Sequence, residues 1–548
     1  MSASSLLVTA LTHPRELRAM ITYKVWRDPV HDIRRHPETS GWDRERMREC
    51  WAFLDATSRS FAAVIKELKG ELSRVICIFY LVLRALDTIE DDMTIPASVK
   101  IPLLVDFYKK LNEPGWNFTE SGPNEKDRQL LVEFDKVIEE YQLLSEGCRI
   151  VIADICARMG AGMASYIELG NSPGGLRMQK WADYDLYCHF VAGLVGEGLS
   201  GLFSETEIER SSVGLQLTLS NHMGLFLQKT NIIRDYAEDS AEGRFFWPKE
   251  CWGVGDVFGS QGDVQKGVVE TRPGSNNWTF ADNLEGRTAQ RILSSMLLDA
   301  MSHAVNSLEY LSMLRDQSVF NFCAIPQVMA ISTLDLMVNN ANVFKKNVKI
   351  RKSLAVTLIL GAVNPRDVGL TFVQYARSIH AKLSPADPNY VRWCVELGRI
   401  ELWTESHFPS FIQVKGGKSK DVRAEMFEKW VVTNDRLARP EHYMSAANRE
   451  EYEKFMRNNP QRVRAQRAEQ FKMKLVVAGV IVSVITFMLT LTTVAFSIMW
   501  FFIGDTENPL LTLARNLFVS LRDTGLRNTI MNGVNIIEAS FEQRDWAK

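Results

Sequence analysis

Apolar side chains recur at three- and four-residue spacing through most of the chain, which is the periodicity of amphipathic α-helices. Alternating apolar and polar runs, which would indicate strands, are scarce, and no repeat of fixed length is present. The periodicity is interrupted at Pro96 and at residues 112–124, 170–175 and 253–277. The last stretch is rich in Gly, Ser and Asn and is predicted to be a long surface loop. The pattern therefore predicts one large all-α domain over residues 40–385.

Four further segments flank this domain. They are an N-terminal extension over 1–39, a linker and juxtamembrane region over 386–474, a transmembrane helix over 475–503 and a C-terminal tail over 504–548. Residues 475–503 contain no charged side chain and no histidine. As a helix they would span about 43 Å, more than the hydrocarbon core of a bilayer, whereas a buried core helix rarely has this length without a polar face.

Composition changes this picture little. The chain has 548 residues, a formal net charge of -2 and 24% charged residues, which is typical of a soluble protein. The near-neutral balance argues against a general nucleic-acid binder. Five basic residues lie just before the apolar segment, so the positive-inside rule places the large N-terminal part in the cytoplasm. They are Arg462, Arg464, Arg467, Lys472 and Lys474.

A first polar stripe lies on a predicted helix that is otherwise apolar. Asp87, Glu90 and Asp91 have the spacing i, i+3 and i+4, and Tyr80 and Arg84 extend the same face backwards. Three converging carboxylates repel one another unless a cation lies between them. Oxygen ligands of this kind suit Mg²⁺, which commonly bridges carboxylates and substrate phosphates. The alternative is an acidic, solvated face near a helix end.

A second polar stripe follows later in the chain. Gln228, Asn231, Asp235, Glu238 and Asp239 share one face of a predicted helix whose other faces are apolar. A polar stripe on an apolar helix indicates a helix that lines a wet cavity. Two such helices are less easily explained by chance than one. Together they predict a polynuclear Mg²⁺ site that holds a diphosphate from two sides.

Two basic features complete the candidate chemistry. Ser58, Arg59 and Ser60 lie at a predicted helix start, where they either bind an anion or simply cap the helix. Residues 345–352 contain five basic side chains in eight, which favours either a nucleotide-phosphate clamp or a solvated surface. A Rossmann-type glycine fingerprint is not found in the sequence, so a dinucleotide would have to bind in another way.

These residues resemble the squalene synthase family over most of residues 40–385. The similarity is carried by TSRSFAAVI at 57–65, DTIEDDMT at 87–94, EKDRQ at 125–129, YCHFVAGLVGEGLS at 187–200, MGLFLQKTNIIRDYAED at 223–239, GRFFWP at 243–248, QSVFNFCAIPQVMAI at 317–331 and VFKKNVKIRK at 343–352. The resemblance implies a class I isoprenoid-synthase fold around a central cavity. It implies a farnesyl-diphosphate farnesyltransferase that joins two farnesyl diphosphates to presqualene diphosphate and reduces this intermediate to squalene with NADPH, at the entry to sterol biosynthesis.

The resemblance also implies roles for individual residues. Asp87, Glu90, Asp91, Asp235, Glu238 and Asp239 are expected to hold Mg²⁺. Arg59, Arg84, Lys126, Arg234 and Arg244 are expected to bind diphosphate oxygens, and Ser58, Ser60, Phe61 and Gln228 to contact the substrate. Tyr187 is the expected base of the first half-reaction, Tyr80 is expected near the cation, and Phe322 is expected to line the pocket of the second half-reaction. Asn231, Lys349 and Arg351 are expected to contact NADPH.

The same resemblance implies an enzyme anchored in the endoplasmic reticulum membrane by residues 475–503, with a monomeric catalytic domain that faces the cytosol. Its allylic and cyclopropylcarbinyl cations need a dry pocket, because water would convert them to alcohols. Two alternatives stay open. One is a phytoene- or dehydrosqualene-type synthase, which lacks the reductive step, and the other is an inactive membrane-tethered scaffold.

Overall fold

The computed structural model describes residues 12–25, 27, 29–58, 60–171 and 178–409. Arg59, the linker beyond residue 409, the predicted transmembrane segment 475–503 and the tail 504–548 lie outside the described residues. The described part is built almost entirely of helices, so the all-α prediction is confirmed.

The N-terminal half of the described chain contains ten helices and a π-helical turn. They are α1 (Pro14–Val25), α2 (Pro37–Ser40), α3 (Glu45–Ser58), α4 (Ser60–Lys66), α5 (Leu72–Asp91), α6 (Ala97–Lys110), α7 (Arg128–Val132), α8 (Asp135–Gln142), α9 (Glu146–Asn171), α10 (Trp181–Cys188) and the π-helical segment His189–Gly193. α10 and the π-helical segment continue directly into α11, so that they form one long, locally widened helix.

The C-terminal half continues in the same way. It contains α11 (Leu194–Glu205), α12 (Ser211–Gly214), α13 (Leu217–Arg234), α14 (Tyr236–Ala241), α15 (Lys249–Trp252), strands β1 (Val268–Glu270) and β2 (Trp278–Phe280), α16 (Leu284–Met301), α17 (Ala304–Met313), α18 (Gln317–Met337), α19 (Lys352–Gly361), α20 (Pro365–Lys382) and α21 (Tyr390–His407). Short 3-10 turns lie at Val254–Asp256, Gln261–Gly267 and Ala341–Phe344.

Helix starts follow local side-chain chemistry. Asp316 accepts hydrogen bonds from the backbone N–H groups of Ser318 and Val319 at the start of α18, and Asn283 does the same for Gly286 at the start of α16. Such caps satisfy N–H groups that have no partner inside the helix. α5 and α13, the two buried helices on which the site depends, therefore lie among helices that begin at defined residues.

The helices that carry the two polar stripes are brought together by α11, which packs against both α5 and α13. The approach of α13 is unusually close, because a Cβ atom at Gly224 would lie 2.2 Å from the carbonyl oxygen of Ala192 in the π-helical segment. Only glycine permits this backbone-to-backbone contact. Consequently the stripe of α13 faces the same interior space as the stripe of α5.

The segment predicted as a surface loop contains regular structure. β1 and β2 pair antiparallel, with Val268 opposite Phe280 and Glu270 opposite Trp278, and they form the one sheet found in the described residues. Each strand has three residues. A run of this length is too short to show the alternation of apolar and polar positions that indicates a strand.

Three helical stretches of the described chain are long and apolar enough to cross a membrane by length and composition. They are Glu146–Gly170, Trp181–Glu205 and Gln317–Met337. Each of them packs against other helices of the domain, so their apolar side chains serve the protein core. α21 also joins this core through the buried Trp393 and Ile400.

Candidate active site

A chamber of about 320 Å³ lies between α5, α10, α13 and α14. Most of the polar residues singled out in the sequence line it. They are Arg84, Asp87, Glu90, Asp91, Tyr187, Gln228, Asn231, Asp235, Asp239 and Arg244. The two stripes, separated by more than a hundred residues in sequence, thus face one interior space.

The stripe on α5 is organised around Arg84. Its guanidinium donates two hydrogen bonds to the hydroxyl of Tyr80, at 3.2 and 3.0 Å, and lies 3.8 Å from Asp87 and 3.9 Å from Asp127. Burial raises the pKa of Asp87 to about 7, the neighbouring Asp91 and Asp127 carboxylates add to this, and Arg84 opposes it. A cation at this position would be strongly favoured, because it would stabilise the charged form of Asp87.

The stripe of the second helix is interrupted at Asp235. α13 ends at Arg234 and α14 begins at Tyr236, so the helical face does not continue across this point. Asp239 still lines the chamber, whereas Glu238 is exposed and does not line it. The spacing that predicts both residues on one face assumes a continuous helix. A metal-binding role for Glu238 stays a prediction.

Asp235 has two protein partners. Arg234 donates to both of its carboxylate oxygens, at 2.8 and 2.5 Å, and the side-chain amide of Asn347 donates to one of them at 2.6 Å. Arg234 does not line the chamber. Its guanidinium therefore orients Asp235 here, and its predicted contact with diphosphate stays untested. Asn347, which lies inside the basic segment 345–352, is not predicted as a site residue from the sequence.

Arg244 connects the two carboxylate clusters. It donates hydrogen bonds to Asp91 at 2.7 Å and to Asp239 at 2.8 Å, and it lies 2.9 Å from Glu242. Burial raises the pKa of Asp239 to about 6, although Arg244 opposes the shift. The clusters are therefore close enough for one cationic group to contact both. Clustered carboxylates with raised pKa values are a donor set that fits Mg²⁺.

Tyr187 lies in the wall of the same chamber. Its ring packs edge-on against Tyr166 and stacks on Phe246, with centroids 5.2 Å apart in both pairs. Burial raises the pKa of Tyr187 well above its ordinary value, and the negative charges of Glu90 and Asp91 raise it further. The phenol consequently holds its proton in this environment. It can become a base only when bound cations outweigh the neighbouring carboxylates.

An apolar pocket of about 290 Å³ adjoins the chamber. The two spaces share Arg84, Asp87, Val191 and Gln228. The pocket is lined by Phe61, Ile65, Ile76, Phe79, Tyr80, Leu83, Met159, Val195, Leu199, Phe203, Leu227, Phe322, Cys323 and Pro326, among others. The ring of Phe322 packs edge-on against Phe203. This arrangement places an apolar space directly beside a polar, carboxylate-lined one.

Four further predicted site residues lie away from the chamber lining. Lys126 is exposed, although its neighbour Asp127 lies 3.9 Å from Arg84. Lys349 and Arg351 are exposed on the basic segment. The hydroxyl of Ser58 is buried and has no hydrogen-bond partner among the described residues. Their predicted contacts with substrate or cofactor are not tested by this geometry.

The loop that carries Lys126 is held by Asp92, a residue that sequence analysis did not single out. The Asp92 carboxylate accepts hydrogen bonds from Thr94, from the Ser121 hydroxyl at 2.8 Å and from the Gly122 N–H at 2.7 Å. It therefore points away from the chamber, although it directly follows Asp91. A loop anchor of this kind has no sequence signal beyond the acidic run itself.

A separate group of possible metal ligands consists of Asp185, Asp299 and His303. The ammonium group of Lys229, which is only 1% exposed, already lies between the two carboxylates, at 2.5 Å from Asp185 and 2.7 Å from Asp299. These contacts of the buried Lys229 link α10, α13 and α16. Since the Lys229 ammonium already occupies the space between the two carboxylates, the group is explained as a structural support for α13.

Comparison with known proteins agrees with this geometry. The family model described as squalene/phytoene synthase matches residues 54–353. A squalene synthase of Mycosarcoma maydis is 56% identical over 561 aligned residues, which cover 99% of this chain and 97% of that protein. A squalene synthase of Ganoderma lucidum is 47% identical, with 80% of this chain and 94% of that protein covered.

Solved structures give the same result. The complex of TcSQS with the ligand BPH1237 is 38% identical in sequence and has a TM-score of 0.60. It covers 66% of this chain and 100% of its own. The similarity therefore includes most of the described helical domain.

Proposed function

The chain belongs to the squalene/phytoene synthase family and is an enzyme of the squalene synthase type, and on that premise we propose how its chamber performs the reaction. Two farnesyl diphosphates are joined head to head to presqualene diphosphate, with loss of one diphosphate and one proton. Loss of the second diphosphate gives a cyclopropylcarbinyl cation, whose rearranged form accepts a hydride and becomes squalene. The observation that carries the proposal is that two facing carboxylate clusters adjoin an apolar pocket.

The metal ligands are proposed to be the chamber carboxylates. Asp87, Glu90 and Asp91 would hold Mg²⁺ on one side, and Asp235 and Asp239 on the other, with Glu238 as a predicted further ligand. Bound Mg²⁺ neutralises diphosphate and so makes it a better leaving group. Support comes from the raised pKa values of Asp87 and Asp239, which indicate carboxylates that lack sufficient positive charge.

Two arginines of the chamber are proposed to bind diphosphate oxygens directly. Arg84 and Arg244 both line it, and each lies beside a carboxylate cluster. A guanidinium binds phosphate oxygens through two parallel hydrogen bonds, which fixes the orientation of the leaving group as well as its charge. Gln228, at the boundary between chamber and pocket, would contact the first atoms of the prenyl chain.

The apolar pocket is proposed to hold the prenyl chains and to exclude water from the cations. Tyr80 and Phe322 present aromatic rings to this space, and an aromatic face attracts a cation by about 0.5–2 kcal/mol. Tyr187 would take the proton that leaves when the cyclopropane ring closes, once bound cations have lowered its pKa. Phe322 would act on the second half-reaction.

The cofactor site is proposed to be the basic segment 345–352 with Asn231. Support comes from Asn347, which joins this segment to the chamber through its hydrogen bond with Asp235. If Lys349 and Arg351 bind the phosphate groups of the cofactor, its nicotinamide would therefore lie within reach of the chamber. Bound NADPH supplies the hydride of the final step. The donors of this segment, four lysines and one arginine, fit a phosphate-bearing dinucleotide.

Location and partners are proposals of the same kind. Residues 475–503 would anchor the enzyme in the endoplasmic reticulum membrane, with a monomeric catalytic domain on the cytosolic side. Support comes from the absence of charge in this segment and from the basic residues before it. Squalene made at this surface would be the first committed product of sterol biosynthesis.

One product assay separates this function from the alternative without reduction. The full-length protein in detergent is incubated with farnesyl diphosphate and Mg²⁺, with and without NADPH. Squalene is expected only when NADPH is present. A desaturated C30 product in both reactions would indicate a dehydrosqualene-type synthase, and an absence of any C30 product would indicate an inactive scaffold.

A further inference from the structure

The N-terminal helix α1 carries a carboxylate into the basic segment. Glu16 lies in the first turn of α1 and is only 8% exposed, which is unusual for a glutamate. Its carboxylate accepts hydrogen bonds from Arg351 at 2.6 and 3.3 Å and from the Ser353 hydroxyl at 2.6 Å. Glu16 and Arg351 are 335 residues apart in sequence. Such a contact depends on the docking of α1 onto α19.

The contact is electrostatically favourable despite its burial. Burial alone would raise the pKa of Glu16, but the hydrogen bonds from Arg351 and Ser353 and the charge of Arg351 lower it instead. Glu16 is therefore ionised at neutral pH. The two Glu16 oxygens accept hydrogen bonds from donors that could equally bind two oxygens of a phosphate group. A guanidinium recognises both anions through the same pair of N–H groups.

Arg351 also belongs to the segment that reaches the active-site chamber. Asn347, four residues earlier, donates to Asp235 at 2.6 Å, and Lys345 lies over the ring of Trp278 at 5.0 Å. The segment thus runs from the chamber wall to the first turn of α1. An anion bound along it would meet Glu16 at its far end.

We propose that Glu16 is an internal competitor for a phosphate group of the nicotinamide cofactor at Arg351. This inference rests on the proposed role of residues 345–352 in cofactor binding. Two anions on one face of a guanidinium repel each other, so a cofactor phosphate gains Arg351 only when Glu16 leaves it. Because the competing carboxylate is part of the chain, the apparent affinity for NADPH equals the intrinsic affinity multiplied by the fraction of molecules in which Glu16 has released Arg351. Docking of α1 and binding of the cofactor are consequently opposed.

The test measures cofactor binding without turnover. Full-length Glu16→Gln and wild-type enzyme in detergent are titrated with NADPH by calorimetry in the absence of farnesyl diphosphate. The variant is expected to bind NADPH about tenfold more tightly, which corresponds to the loss of one competing charge-assisted hydrogen bond. Glu38→Gln, at an exposed carboxylate of the same N-terminal region, is the matched control and should bind like wild type. Equal or weaker binding by Glu16→Gln would overturn the inference.

A second variant separates this inference from the cofactor site itself. Arg351→Met is expected to bind NADPH more weakly and to remove the gain from Glu16→Gln in the double variant. If Arg351→Met weakens binding but Glu16→Gln has no effect, the cofactor site stands and the competition is refuted. If neither variant changes binding, both proposals fail.

Hydrogen exchange gives an independent readout. Addition of NADPH to the wild-type enzyme is expected to decrease the protection of backbone amides in residues 14–25, because Glu16 holds the first turn of α1 in place. An increase in protection of these amides would contradict the competition, since it would mean that the cofactor and α1 bind together.

Discussion

Arg244 and Asp239 form a hydrogen bond of 2.8 Å, and the same guanidinium donates to Asp91 at 2.7 Å. One side chain thus joins the two acidic clusters across the chamber. A group at this position contacts both clusters, and it also lies within reach of any diphosphate that the clusters hold. Arg244 is therefore expected to serve both as a support for the carboxylates and as a ligand for the leaving group.

Replacement of this arginine tests its contact with diphosphate. Arg244→Met is expected to lower kcat for presqualene diphosphate formation by about a hundredfold or more, which is typical for the loss of one donor to a developing negative charge. Arg244→Lys should recover part of the loss, because it restores the charge but not the paired geometry. The surface variant Arg399→Met serves as a control, since Arg399 forms an ion pair with Glu396 and does not line the chamber. A kcat within twofold of wild type would contradict this role.

Asp92 is expected to behave differently from its neighbour Asp91. Asp92→Asn should lower the free energy of unfolding by about 2 kcal/mol, because the carboxylate anchors Ser121 and Gly122 through charge-assisted hydrogen bonds. It should leave the Mg²⁺ concentration for half-maximal activity unchanged. Asp91→Asn should raise that concentration instead. Denaturant unfolding and Mg²⁺ titrations of the two variants give the comparison, and a shared increase in the Mg²⁺ requirement would show that Asp92 is also a metal ligand.

The apolar pocket is expected to matter most in the second half-reaction. Phe322→Ala removes a ring that packs against Phe203, and it opens space in the pocket that is proposed to hold the rearranging cation. The variant should consume presqualene diphosphate at least tenfold more slowly, with a smaller effect on its formation. Phe322→Leu, which keeps the apolar volume, should show whether the ring itself is needed. Equal losses in both half-reactions would contradict the assignment of Phe322 to the second.

A buried histidine pair makes the stability of the domain depend on pH. The ring nitrogens of His222 and His303 are 2.6 Å apart, and burial, reinforced by the charges of Lys229 and His222, lowers the pKa of His303 well below its ordinary value. The unfolded chain therefore takes up a proton below about pH 6.5 that the folded chain excludes. This contribution to the free energy of unfolding should be fully present above that pH. It should fall by about 1.4 kcal/mol for each pH unit below it.

The measurement for this prediction is guanidinium unfolding in detergent at pH 7.5 and 5.5. His303→Gln should reduce the difference between the two pH values, because it removes the titrating group. His380→Gln, at an exposed position, is the control and should retain the wild-type difference. An unchanged pH difference in His303→Gln would show that other groups cause the acid sensitivity.

The sequence predicts this site well where the contacts are local. Asp87, Glu90 and Asp91 lie within two turns of one helix, so their spacing alone places them on one face. The apolar periodicity likewise predicts the all-α domain, because each helix must bury one side. The resemblance to a known family supplied the residues, such as Arg244 and Tyr187, whose spacing carries no signal.

The remaining features depend on tertiary contacts. Asn347 meets Asp235 across 112 residues, and Glu16 meets Arg351 across 335, distances at which no periodicity relates two side chains. The position of Glu238 differs from the expected face because the helix is broken at Asp235.

The two carboxylate clusters are proposed to hold the metal and diphosphate groups jointly. The most direct measurement is the rate of presqualene diphosphate formation by Asp87→Asn and Asp239→Asn, with Asp263→Asn, which lies outside the chamber, as the matched control. Both chamber variants should lose at least a hundredfold in rate and should need more Mg²⁺, while the control keeps the wild-type rate. Wild-type rates and an unchanged Mg²⁺ requirement in either chamber variant would contradict the claim.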